Sequence, residues 1–171
     1  MPAGKIHDRI TLACLPGVCL GTHLLTRHWG YTALVSSGFL FAGLMFGPDL
    51  DIRSVQSKRW GWLGWIWQPY RKSFRHRSWL THGFLAGTLI RVIYLWVWGL
   101  LGLLLVLEVS NGRGYTSITW GELGHTIGML CWRYWQVWAA IAIGIELGAM
   151  SHSLSDWTHS AWKRGNRRQR R

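Results

Sequence analysis

From Gly83 to Leu107 the chain is apolar, with Arg91 its only charge. As a helix this run is about 37 Å long, more than the roughly 30 Å hydrocarbon core of a bilayer. A chain of 171 residues fits one domain, too small to enclose such a helix on every side. The run is therefore expected to cross a membrane, and the remaining segments must supply its neighbours.

Three further apolar segments do so. Ile10 to Leu25 follows the basic residues Lys5 and Arg9 and carries an expected kink at Pro16-Gly17. Its charge pattern is also that of a signal peptide, but no small-x-small cleavage site follows, so it reads as a retained helix. Tyr31 to Phe46 is the second segment, and Pro48 should end its helix at Gly47. The last runs from about Leu130 to Met150, after a Gly-rich polar connection over 108–124, with His125 at its edge. The expected fold is all-α: a membrane-embedded bundle of about four helices spanning residues 1–162, then a basic tail over 163–171. Gly17/Gly21, Gly83/Gly87 and Gly144/Gly148 each offer a small-residue face for close helix packing.

The connection over 53–79 carries Trp60, Trp62, Trp65, Trp67 and Trp79 with seven Lys or Arg residues. Such a mixture suits a segment lying in the interface, its rings at the acyl boundary and its cations on anionic headgroups. A net charge of +12 would also fit nucleic acid, but the basic tail adjoins a span and the apolar runs favour lipid as the partner. Cys14, Cys19 and Cys131 lie dispersed in apolar segments and read as small buried hydrophobes, neither disulfides nor zinc ligands. Outside the spans, fifteen Lys and Arg fall with the termini and the central connection, against two on the other side. Both termini and residues 47–83 are thus expected in the cytoplasm.

That topology sorts the polar residues. His7, Asp49, Asp51, His76, His82, His152 and Asp156 all fall at cytoplasmic helix mouths, whereas His23, His28 and His125 fall opposite. Buried Asp and His need partners, and a metal ion would satisfy the whole set. His152 and Asp156 share a helix face at i, i+4. Ser78 as an N-cap would put His82 one turn into the third long helix and leave His76 on the loop before it. A His/Asp set without Cys suits Zn, Mn or Fe, as one ion or two. Arg91 and Glu146, charges inside two antiparallel spans, are expected to pair.

The sequence His7-Asp8, Pro48-Asp49-Leu50-Asp51, His76-Arg77-Ser78 to His82, His152 to Asp156 and the run Arg59-Trp60-Gly61-Trp62 resembles a family of uncharacterised, mainly cyanobacterial metal-binding membrane proteins. More distantly it resembles the YdjM-like membrane-bound metal-dependent hydrolases, which share the Pro-Asp-x-Asp and His-Arg elements. The resemblance implies metal binding by the same seven residues and, by inference, hydrolysis. The expected activity is metal-dependent hydrolysis of a phosphoester-type amphiphile at the cytoplasmic face. Asp49 or Asp156 would act as base if not committed to metal, and Arg75 and Arg77 would hold phosphate or lipid headgroups. A non-catalytic protein with a structural ion is the alternative. A metal transporter fits less well, because transport sites usually lie near the bilayer midplane.

Overall fold

The computed structural model describes residues 4–76 and 78–169, and no strand occurs among them. The helices are α1 (Gly4–Thr26), α2 (Trp29–Leu44), α3 (Val55–Lys58), α4 (Trp67–Ser73), α5 (Trp79–His82), α6 (Ala86–Gly112), α7 (Trp120–Arg133) and α8 (Trp135–Gln169). Single 3-10 turns occupy Pro48–Asp51 and Gly61–Ile66. Four stretches are long and apolar enough to cross a membrane: Ile6–Thr26, Trp29–Asp51, Ala86–Gly112 and Trp135–Thr158.

The bundle is built on α2 and α8, which pack along their length with α1 beside them. They run parallel: Tyr31 Oη donates to Gln136 Oε1 at 2.8 Å at one end, and Gly144 and Gly148 meet the Val35 and Phe39 carbonyls farther along. A Cβ at either glycine would collide with that backbone, so the approach requires glycine. The three small-residue pairs behave differently. Gly17 and Gly21 have nothing within 4 Å of where a Cβ would sit, and Gly83 and Gly87 meet carbonyls of their own neighbouring turn, those of Trp79 and Thr81.

Three expectations for the helix limits are corrected. α1 begins at Gly4 and runs unbroken through Pro16, so His7 lies within the helix and not before it. The third long helix begins at Ala86, not Gly83, because Leu85 adopts φ +57° and separates it from the single turn of α5. His82 consequently ends α5. The fourth segment is two helices. Thr119 Oγ1 accepts from the Glu122 amide while Glu122 Oε2 accepts from the Thr119 amide, a capping box that starts α7. Tyr134, at φ −111°, ψ 26°, then breaks the chain before α8.

The connection between α2 and α6 folds back on itself as short helices and turns. Trp67 and Tyr70 are fully enclosed with Phe46, Leu50 and Ile66, and the Trp60 indole donates to the Met45 carbonyl at 2.8 Å. Only Trp62, Trp65 and Trp79 keep their rings on the outside. The five-ring interfacial strip is thus divided, two rings packing inward because they close the end of the bundle. Cys14 and Cys131 are exposed and Cys19 half-buried against Ser36, so the thiols are not core residues as expected.

Arg91 and Glu146 are both buried but do not pair with each other. Arg91 donates to the Thr81 carbonyl at 2.8 Å and to Thr88 Oγ1 at 3.1 Å. Glu146 Oε1 instead accepts from the Leu85 amide at 3.0 Å. The backbone exposed by the break at Leu85 claims the carboxylate.

Candidate metal centre

One end of the bundle brings together all seven candidate residues from five segments. The first turns of α1 carry His7, and the turn after α2 carries Asp49 and Asp51. His76 precedes α5, His82 ends it, and α8 supplies His152 and Asp156. At the opposite end, His28 Nδ1 accepts from the Gly30 amide at 3.1 Å, and the His23 ring stacks on Trp29.

The donors form two clusters, His7/His152/Asp156 and Asp49/His76/His82. In the first, the rings of His7 and His152 stack with centroids 3.8 Å apart, and His7 Nε2 is 3.4 Å from Asp156 Oδ1. In the second, His82 Nε2 lies 3.8 Å from Asp49 Oδ1 and His82 Nδ1 lies 3.8 Å from Asp51 Oδ2. Asp49 belongs to both, because its other oxygen, Oδ2, is 3.3 Å from His152 Nε2.

These separations are informative. Two donors each ~2.1 Å from a tetrahedral ion stand about 3.4 Å apart, a spacing longer than an ordinary hydrogen bond. The side-chain atoms Asp49 Oδ1, Asp51 Oδ2, His76 Nε2, His82 Nε2 and His152 Nε2 are buried and have no hydrogen-bond partner. Asp49 and Asp51 are close-paired to imidazoles, and among the described residues neither forms a salt bridge with Lys or Arg. Carboxylates in such surroundings are costly unless a cation offsets them. The donor set fits a metal.

Neighbouring groups fix the ring tautomers. Ser155 Oγ donates to the His152 carbonyl at 2.8 Å, so at 2.6 Å from His7 Nδ1 it accepts that N–H. Thr81 Oγ1 donates to the Ser78 carbonyl at 3.2 Å and accepts from His82 Nδ1 at 2.9 Å. Asp51 Oδ1 accepts from His76 Nδ1 at 2.9 Å. Each interaction leaves the Nε2 lone pair of its ring available to a cation. Gln56 Nε2 donates to the Gly43 carbonyl at 2.9 Å and packs against His152 Nδ1. Thr81, Ser155 and Gln56 were not anticipated from sequence. Thr81 and Ser155 directly precede His82 and Asp156, a weak signal, and nothing in the sequence pointed to Gln56.

A cavity of about 260 Å³ opens beside the first cluster and is bordered by His7, Asp49 and His152. Asp8 on its rim is engaged by Arg59 through two bonds of 2.9 and 2.5 Å, which hold the guanidinium above its usual pKa. Arg75 is exposed and is not part of the lining. Arg77 lies outside the described residues.

Fold and site together define a helical protein with four membrane-length apolar helices and a His/Asp cluster suited to a cation. The chain belongs to the family described as uncharacterized metal-binding protein (DUF2227), whose family model matches residues 2–166. An uncharacterized protein of Aquifex aeolicus (strain VF5) is 39% identical over 59 residues, 34% of this chain and 41% of the relative. The chain thus matches less than half of that relative's length. No solved structure matches.

Proposed function

We propose that the protein is a membrane-embedded, metal-dependent hydrolase whose substrate is a phosphoester of an amphiphile. In this reading His7, His152 and Asp156 hold one divalent ion, His76, His82 and Asp51 hold a second, and Asp49 spans the two. Asp49 and Asp156 act as ligands rather than bases, since Asp49 faces two imidazoles and Asp156 faces His7. A bound metal would supply Lewis acidity and lower the pKa of water toward ~7. Water adds to phosphorus, the P–O bond to the alcohol breaks, and the alcohol departs with a proton. The Pro-Asp-x-Asp and His-Arg elements, which resemble those of YdjM-like hydrolases, support this class, and the charge bias supports a cytoplasmic site with both termini on that side. Exposed Trp62, Trp65 and Trp79 would lie among headgroups, with anionic lipid as the surrounding partner.

The observation that carries the reading is the cavity at His7, Asp49 and His152. A catalytic metal needs an open coordination position, whereas a structural one is closed. The second cluster favours the alternative for its own ion, because neither His76 nor His82 borders that cavity. The test is phosphate release from a phosphorylated amphiphile by protein purified without chelator. Turnover should require metal and be abolished by chelator and by Asp51→Asn. Stoichiometric metal with no turnover across phosphoesters, esters and amides would leave a structural ion; folded protein with no metal would reject both.

A further inference from the structure

The cavity beside the centre is lined by His7, Asp49 and His152 together with residues of the segment Arg53–Lys58. Two carboxylates border it, and both face other side chains. Asp8 is held bidentately by Arg59, and Asp49 is turned between His82 and His152. Arg53 and Lys58 line the same space, and among the described residues neither side chain has an ion pair or hydrogen bond. His152 is also in the lining, and its Nε2 has no hydrogen-bond partner on a side chain 2% exposed. The cavity therefore brings the exposed side chains of Arg53 and Lys58 to the same space of about 260 Å³ as His7, Asp49 and His152.

We propose that this cavity is a phosphoryl-binding subsite, in which Arg53 and Lys58 hold phosphate oxygens and turn the phosphorus toward His7, Asp49 and His152. Arginine offers a planar fork for two oxygens and lysine a compact point charge. A phosphate monoester carries roughly −1.5 to −2 charges near neutral pH and matches the two cations. The volume admits a phosphate with a small headgroup and is below the usual range for a drug-sized ligand. Acyl chains would stay outside, in the bilayer. The subsite rests on the reading of the neighbouring residues as a metal centre, and it assigns to Arg53 and Lys58 the phosphate contact that the sequence suggested for Arg75 and Arg77.

The experiment titrates inorganic phosphate into metal-replete, full-length protein in detergent by calorimetry. Arg53→Gln and Lys58→Gln should each weaken binding roughly tenfold, and the double variant more, with melting temperature and metal per chain unchanged. Arg75→Gln should bind as the parent does, and Arg53→Lys should recover part of the loss. Equal affinity in the parent and double variant, or no phosphate binding by the metal-replete parent, would overturn the subsite. A second arm uses nanodiscs with and without phosphatidic acid. Displacement of phosphate by the lipid, lost in the double variant, supports a lipid phosphate as the source; displacement only by water-soluble phosphomonoesters supports a free one. The two proposals separate cleanly. Phosphate affinity lost in the double variant, in protein that hydrolyses no phosphoester, keeps the subsite and removes the hydrolase. Hydrolysis with unchanged KM in the double variant does the reverse.

Discussion

His7 and His152, from the two ends of the chain, stack with their rings 16° from parallel and 3.8 Å between centroids. Ser155 Oγ accepts a hydrogen bond from His7 Nδ1, and Asp49 Oδ2 faces Nε2 of His152. Closing this contact requires α1, α2 and α8 to meet at one end of the bundle, and their close packing meets that need.

Asp49 is the residue shared by both clusters, so its replacement should be felt by both. Asp49→Asn is expected to lower metal per chain more than His76→Ala or His7→Ala, each of which touches one cluster. Elemental analysis of purified protein measures this. Full metal content in Asp49→Asn would show that the carboxylate does not span two ions.

Thr81→Val and Ser155→Ala remove only the hydroxyls that accept the Nδ1 protons of His82 and His7. Loss of such partners typically weakens metal binding about 10–100-fold. Competition with a chelator of known affinity reads the shift directly. If both variants hold metal as tightly as the parent, the ring orientations are set by packing alone.

The end of the bundle that carries the centre was legible because carboxylates and imidazoles at the mouths of apolar helices are costly without a partner. The expected topology sorted His7, Asp49, Asp51, His76, His82, His152 and Asp156 from His23, His28 and His125. What the sequence hid has local causes. The break at Leu85 rests on one positive-φ residue that is itself neither glycine nor proline, and the flanking Gly83 and Gly87 read instead as a helix-packing pair. Arg91 and Glu146 looked like partners by depth alone, yet exposed backbone at Thr81 and Leu85 competes for both. Three glycine pairs have the same spacing, and only the neighbouring helix distinguishes Gly144/Gly148 from the others.

Glu146→Gln should therefore be mild, since an amide oxygen still accepts from the Leu85 N–H. Glu146→Leu leaves that amide unpaired and should cost about 1–3 kcal/mol. Thermal unfolding in detergent compares the two. Equal, large losses for both would argue that the negative charge itself is required.

Gly144→Leu is expected to destabilise by at least ~1–3 kcal/mol, because the added side chain meets the Val35 backbone, which cannot rotate away. Gly17→Leu, with open space around it, should leave the melting temperature nearly unchanged. Equivalent effects at both sites would contradict the α2–α8 approach.

Sidedness is tested with single cysteines at Ser73 and Ser117, both exposed, in a background lacking Cys14, Cys19 and Cys131. A membrane-impermeant thiol reagent should reach them from opposite faces. Labelling of both from one face would reject the four-span topology.

The glycine contact between α2 and α8 also acts as a vernier. Gly148, His152 and Asp156 sit on one helix, one turn apart, so the contact that seats Gly148 against Phe39 also fixes the angle at which His152 reaches Asp49. One residue inserted between Gly148 and His152 would turn the imidazole by about 100° and carry it ~1.5 Å along the axis. The centre would be dismantled with every ligand still present, so α8 should tolerate altered side chains on its outer face far better than any change in its length.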